Sequence, residues 1–234
     1  MNNSDKKTTF RIPDHIISAR EFLDLFPSEM SDEEKEKLAA KMEKRYADHQ
    51  TVTEDEKRFR EILGSTGREG VEELLEYLKV NDFFIAPGSV SHHSNWKGGL
   101  VNHSLKVYDR AMQIRETMIR EDPSVIDELK EEKVAVAALL HDICKADEYT
   151  IDSDGKPARM RPYLHLGGHG TKSVIMILSR GFKLSFDEIL AIRWHMGAGH
   201  IQKQRDREEC ERAKQESALV RLIIRADHMA ATGK

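Results

Sequence analysis

Cysteine is nearly absent from this 234-residue chain: Cys144 and Cys210 are the only two, and they form no Cys-x-x-Cys pair. Their scarcity excludes a disulfide framework and a thiolate-built structural zinc site, and it suits a reducing compartment, so a cytoplasmic protein is expected. Long apolar runs are missing too. The longest, residues 134–140, is far too short to span a bilayer, and no membrane association is expected. The first ten residues, MNNSDKKTTF, lack the apolar core of a secretory signal. Repeats, low-complexity tracts and a convincing pair of strands are also lacking. Charge is close to balanced, with a net of −4 that is unevenly spread. Residues 151–234 carry 15 Lys and Arg against 10 Asp and Glu, while residues 1–150 carry 22 against 31. A mildly basic C-terminal half can greet a small phosphate-bearing substrate. It falls short of the concentrated basic face that a dedicated nucleic-acid binder needs.

What is present reads as helix. A charged fraction of 33% beside 39% hydrophobic residues fits a globular chain, long enough to bury a substantial core. Ser31, followed by Asp32, Glu33 and Glu34, starts a charged helix running towards Tyr46. Val71, Leu74, Leu75 and Leu78 recur at i, i+3, i+4 and i+7 and mark a short amphipathic helix over residues 71–80. Further helices are expected over residues 102–120, 124–145, 171–179, 185–196 and 205–231, the fourth opened by a Ser185–Glu188 capping box. The segment from Phe83 to Gly99 breaks the pattern; its two phenylalanines and Pro87-Gly88 predict an ordered loop. Asp152 to Pro157 is turn chemistry, so Asp152 and Asp154 are not candidate ligands. Gly64-Ser65-Thr66-Gly67 suggests a division into a helical extension, residues 1–65, that packs on a core domain, residues 66–234. The expected fold is an all-α bundle.

The informative residues are ionisable ones on faces that should be apolar. Val220, Ile223 and Ile224 define a stripe whose next member, at i+7, is Asp227, and the stripe resumes with Ala230 and Ala231. A carboxylate on a buried face is costly unless a cation or several donors meet it. Residues 134–140 are apolar all round, as in a helix buried at a bundle's centre. They lead directly into His141 and Asp142. His103 lies in register with Val107, Ala111 and Ile114, and His195 follows Ala191 and Ile192 on an apolar side. Any one of these alone is as readily a hydrogen-bonded core residue, or an Asp held by Arg193 or Arg225. Five of them on four helices point instead to a metal centre, since facing helices that converge imidazoles and carboxylates are how bundles build one.

The order His103, His141-Asp142, Asp227 resembles the H…HD…D signature of the HD-domain superfamily of metal-dependent phosphohydrolases. The flanking strings carry the likeness: Asn102-His103-Ser104-Leu105, Leu140-His141-Asp142-Ile143-Cys144-Lys145 and Ala226-Asp227-His228-Met229-Ala230-Ala231. Gly168-His169-Gly170 and Arg193-Trp194-His195-Met196-Gly197 look like the extra histidines of members that hold two metals. The lead-in from Phe83 through His92-His93 to Gly98-Gly99 is similar to a branch with 3′-to-5′ exoribonuclease-like proteins, although the oligonucleotide-gripping barrel of those proteins is missing here.

The resemblance implies an HD-like helical bundle and a hydrolase that attacks a phosphomonoester or phosphodiester with a metal-activated hydroxide. His103, His141, Asp142 and Asp227 would hold a first divalent ion. Asp142 would bridge to a second, held by His169 and His195. Such a mixed nitrogen and oxygen set suits Fe, Mn, Ni or Co, with Zn or Mg also compatible. Asp142 and Lys145 would be catalytic, and His92, His93, Lys145, Lys172 and Arg193 would contact substrate. A nucleotide or short oligonucleotide is the expected substrate, in preference to long nucleic acid. Two other outcomes use the same frame: a di-iron HD-type oxygenase, revealed by a mixed-valent iron pair and O₂ consumption, and a degenerate nucleotide-sensing domain that binds without turnover.

Overall fold

A computed structural model of the chain describes residues 52–160, 162 and 166–233, together with residues 31, 33, 36, 37 and 40. The chain divides into two compact units, residues 1–51 and 52–234. In the first, residues 33, 36, 37 and 40 are helical, and Lys37 Nζ lies 2.6 Å from Glu33 Oε1 across one turn. The rest of the helix expected from Ser31 towards Tyr46 lies outside the described residues.

The second unit is helical. Its α-helices are α1 (Glu54–Ser65), α2 (Val71–Val80), α3 (Gly99–Glu121), α4 (Glu131–Leu140), α5 (His169–Leu178), α6 (Phe186–Trp194), α7 (Gln204–Glu216) and α8 (Ala218–Thr232). Short 3₁₀ turns occupy Pro123–Ile126, Ile143–Asp147 and Ala198–His200. The fold is thus the all-α bundle that the helical periodicities predict, and α2 has the expected bounds. Helix α4 sits at the centre, packed against α1, α3, α6 and α8. All seven residues from Val134 to Leu140 are buried, because a helix surrounded on every side can carry no polar face. Among the described residues, no helix is long and apolar enough to cross a membrane.

Three expectations need correction. The helix expected over residues 124–145 is three pieces. Pro123 opens a 3₁₀ turn capped by Asp122, whose carboxylate accepts from the Ser124 amide at 3.0 Å. Helix α4 begins only after Lys130 and stops at Leu140, since Asp142 leaves helical geometry at φ −118°, ψ 20°. The helix expected over 205–231 is broken at Ser217, extended at φ −119°, ψ 123°. Its hydroxyl accepts from the Val220 amide (3.3 Å) and donates to Glu128 Oε1 (2.7 Å), which caps α8 and ties it to the 3₁₀ region. Finally, a two-stranded hairpin is present: β1 (Tyr149–Ile151) pairs antiparallel with β2 (Pro157–Arg159). Three residues per strand leave too little alternation to detect. The turn chemistry between them holds: Asp152 Oδ1 accepts from the amides of Asp154 and Lys156.

The segment between α2 and α3 is ordered by its aromatics. Phe83 and Phe84 are buried and pack with Phe59 of α1 at ring separations of 5.1–5.5 Å. The loop closes on itself through a Gly88 amide to Ser94 carbonyl bond of 2.7 Å. A Cβ at Gly99 would lie 2.0 Å from that same carbonyl, so the first residue of α3 must be glycine. Gly170 has a like role: a Cβ there would lie 2.2 Å from the Arg193 carbonyl, and its absence lets α5 and α6 cross in backbone contact.

Replacing Ser217 with alanine removes the α8 cap and one of the two hydrogen bonds that Glu128 Oε1 accepts, leaving that from the Leu219 amide. We expect Ser217→Ala to lower stability by about 1–2 kcal/mol, read from urea denaturation. An unchanged midpoint would show that the break between α7 and α8 is not held by this hydroxyl.

Candidate metal centre

Two of the histidines stand at helix ends for a reason that involves the helix itself. The last carbonyls of an α-helix have no partner within it. His141 is the C-cap of α4, and its Nδ1 lies 2.7 Å from the Ala138 carbonyl; His195 is the C-cap of α6, with Nδ1 2.8 Å from the Ile192 carbonyl. A carbonyl only accepts, so in each ring Nδ1 carries the proton. Each imidazole therefore satisfies an orphan carbonyl of its own helix three residues back, and its Nε2 points inward. Fixing the tautomer through the outer nitrogen is how a protein prepares a histidine to ligate.

The inward atoms converge. His103 Nε2, from α3, lies 3.3 Å from His141 Nε2 and 3.1 Å from Asp227 Oδ1 of α8. His141 Nε2 is 3.3 Å from Asp142 Oδ2 and 3.7 Å from Asp227 Oδ1. His195 Nε2 approaches the other oxygen of Asp142, Oδ1, at 3.4 Å. Lys145 Nζ sits 2.6 Å from Asp142 Oδ2. Residues 143–147 are 3₁₀ rather than α-helical, and in a 3₁₀ turn positions i and i+3 eclipse, which sets Lys145 directly over Asp142.

The centre is electrostatically loaded. Burial opposes ionisation of Asp142, but Lys145, His141 and His195 outweigh it and hold the carboxyl well below its usual range. Asp227 likewise overcomes burial through the His103 hydrogen bond and the nearby histidines, and falls to about 2. Burial pushes His103 down, leaving a neutral ring. Burial would also lower His195, yet the Asp142 charge more than compensates and raises it. Lys145 is raised by the same carboxylate against its own burial.

A metal fits these residues. Two Nε2 atoms face each other at 3.3 Å beside two ionised carboxylates, while buried Asp142 Oδ1 and His103 Nδ1 have no hydrogen-bond partner. Among the described residues, three groups bring ligand atoms within 4.8 Å of one another: His103, His141 and Asp227; His141, Asp142 and His195; and Asp142, Cys144 and His169. The first two contain five of the six ligand candidates. His169 stands apart, at the start of α5, with Nδ1 3.5 Å from Cys144 Sγ and 3.7 Å from Glu148 Oε2. It shares Asp142 with His195 but no group of three. Cys144 and Glu148 are neighbours that the sequence did not single out; their signal was position alone, two and six residues past Asp142. Asp227 is met by histidines, not by Arg193 or Arg225.

The substrate-contact candidates separate. His93 is exposed at the surface, its ring tilted against that of His103 with centroids 5.1 Å apart, and partial desolvation there together with Lys145 lowers its pKa. His92 is exposed, its Nδ1 3.2 Å from Ser91 Oγ. Lys172 is buried and bound to Asp147 (2.8 Å) and Glu148 (3.1 Å), because its side chain lies on the inward face of α5. Arg193 is exposed and engages Glu209 at 3.6 Å and the ring of Trp194. It lies two residues from His195, about 200° around the helix, and so faces away from the cluster. Neither cation is positioned as expected. His200 and His228 are exposed, and His165 lies outside the described residues.

The helical bundle thus brings together a buried His/His-Asp/Asp cluster that could hold a metal ion. The sequence pattern of the HD domain matches residues 100–232. That span is more than half of the chain and contains every candidate ligand, and the protein belongs to the HD domain family, whose members are typically metal-dependent phosphohydrolases. Neither the curated proteins nor the solved structures searched give a match.

His195 provides a test by pH. Its protonated form is favoured by Asp142, so an ion that binds its Nε2 must first displace a proton. Affinity should therefore be full above the raised pKa and weaken as pH falls through it. Titrating chelator-stripped protein with Mn²⁺ or Co²⁺ in a calorimeter at pH 8, 7 and 6 should show progressive weakening and proton uptake by buffer. Equal affinity across that range would remove His195 from the ligand set.

Proposed function

We propose that this protein is a metal-dependent phosphohydrolase acting on a nucleotide or short oligonucleotide. The observation that carries the reading is the face-to-face approach of His103 Nε2 and His141 Nε2 beside ionised Asp142 and Asp227. His103, His141, Asp142 and Asp227 would hold one divalent ion. The two oxygens of Asp142 face different ways, Oδ2 to His141 and Lys145 and Oδ1 to His195, which suits a carboxylate shared by two ions. His195 and His169 would be the further ligands on that second side. Nitrogen and oxygen donors of this kind favour Fe, Mn, Ni or Co. A divalent ion there supplies Lewis-acid polarisation of the phosphoryl group and a more acidic water.

The remaining work falls to side chains. Lys145 neutralises Asp142 in the free protein and is the cation nearest the cluster, placed to meet a phosphate oxygen. His93, kept neutral by its lowered pKa, can donate one hydrogen bond to the phosphate from the open side of His103. The apolar surroundings, with Leu139, Leu140, Ile143 and Ile192 all fully buried, keep bulk water from the back of the site.

Asp142→Ala should abolish both metal binding and hydrolysis, whereas His195→Ala should lose mainly the second ion. Lys145→Ala should keep the metal and lose on the order of a hundredfold in kcat. Metal analysis with a phosphatase and phosphodiesterase panel checks all three. Full metal content and turnover in Asp142→Ala would end this assignment.

Substrate size follows from charge. Binding a long strand uses many phosphate contacts and weakens steeply with salt. The net charge here is −4, and Lys172 and Arg193 are engaged elsewhere. Hydrolysis of single-stranded substrates of increasing length should therefore be flat with length and tolerant of salt. Efficiency climbing with length and collapsing in salt would favour an exonuclease.

A further inference from the structure

The 3₁₀ turn that follows α4 carries a thiol at the edge of the cluster. Cys144 is fully buried, and its Sγ lies 3.5 Å from Nδ1 of His169, the first residue of α5. Asp142, Cys144 and His169 each bring one donor atom within 4.8 Å of the other two. The Asp142 carboxylate has an oxygen to spare, since Oδ1 is buried and has no hydrogen-bond partner.

Two clamps between the turn and α5 hold the thiol and the imidazole together. The Cys144 amide donates to Ser173 Oγ at 3.3 Å, and Ser173, four residues past His169, lies on the same face of α5. Lys172, 1% exposed, ties its ammonium to Asp147 at 2.8 Å and to Glu148 at 3.1 Å, where the same turn ends. Glu148 also comes within 3.7 Å of His169 Nδ1, but its other oxygen is committed to Lys172.

The spacing of the pair has two readings. A thiol and an imidazole nitrogen at 3.5 Å can share a weak hydrogen bond. They also stand where one ion needs them: a sulfur at about 2.3 Å and a nitrogen at about 2.0 Å from a tetrahedral centre lie about 3.5 Å apart. The hydrogen bond accounts for the thiol and the imidazole but not for the unpartnered Asp142 oxygen. A cation accounts for all three.

We propose that Cys144 is a ligand of the ion on the second side of Asp142, so that Asp142, Cys144 and His169 form a mixed oxygen, sulfur and nitrogen site. The proposal rests on the two-ion reading given above and narrows its metal. A thiolate donor favours Zn or Fe over Mn or Mg. Burial first, and then the Asp142 charge, push the free thiol up, so it carries a proton. The incoming ion displaces that proton to solvent as the sulfur–metal bond forms.

The test reads the sulfur–metal bond directly. Chelator-stripped protein titrated with Co²⁺ should develop the near-ultraviolet sulfur-to-cobalt charge-transfer band together with the visible bands of the ion itself. Cys144→Ser should lose the charge-transfer band, keep one bound Co²⁺ and weaken the second by about a hundredfold, the upper end of what losing even an outer partner of a ligand costs. The other cysteine, Cys210, is buried on α7, and Cys210→Ala should keep the band. If Cys144→Ser does not fold, a band present in the unaltered chain and kept in Cys210→Ala still assigns the bond to Cys144. Visible bands without a charge-transfer band, a band that survives Cys144→Ser, or one lost in folded Cys210→Ala would overturn the ligand and leave the metal centre standing. Absence of any bound Co²⁺ would end the metal reading itself.

Discussion

A carboxylate that is 2% exposed in the middle of a helical bundle must be neutralised, and the architecture of this protein is arranged around that requirement. Asp142 meets Lys145 through one oxygen and His195 through the other, with His141 and His103 close by. These partners come from the 3₁₀ turn after α4, the end of α6, the end of α4 and the second turn of α3. Each element must therefore stop or start at a defined point. The interruption of α4 at Leu140 is part of that condition: the 3₁₀ turn that follows eclipses positions 142 and 145, where a continuing α-helix would leave Lys145 about 60° off Asp142.

The two capping histidines connect local structure to function. A helix end buried without a partner for its carbonyls is unstable, and a buried imidazole without a fixed tautomer is a poor ligand. His141 and His195 resolve both problems with one bond each. The same economy appears at Gly170, where a missing side chain lets α5 and α6 touch and brings His169 and His195 to neighbouring sides of Asp142. Core packing holds the rest in place. The buried stripe of α8, through Leu219, Val220, Leu222 and Ile223, orients Asp227, and the Phe59, Phe83 and Phe84 cluster anchors the loop that leads to His93, Trp96 and α3.

Much of this was legible in the chain. Helical periodicity located the bundle, and the all-apolar stretch before His141 placed its central helix. Polar residues on apolar stripes marked His103, His141, Asp142, His195 and Asp227, because a charge on a buried face has few explanations. The capping box at Ser185 and Glu188 is formed as expected, since it depends only on residues three apart. The loop from Phe83 is ordered for the reason its aromatics suggested.

What the sequence could not decide were the matters set by contacts distant along the chain. Periodicity ran through Ser217 and through Asp142, because a break costs nothing in pattern when the stripe resumes on the same face; Glu128, 89 residues away, is what makes Ser217 a cap. Lys172 and Arg193 were cations near ligand motifs, but only packing shows one buried against Asp147 and Glu148 and the other turned outward to Glu209. Cys144 and Glu148 became neighbours of His169 through the 3₁₀ turn, which no residue spacing announces. The residues of the buried cluster, and the helices that lead to them, were determined by sequence through the cost of burying charge. Which atoms face one another, and which cations remain near the cluster, was decided by tertiary structure through helix ends and close crossings.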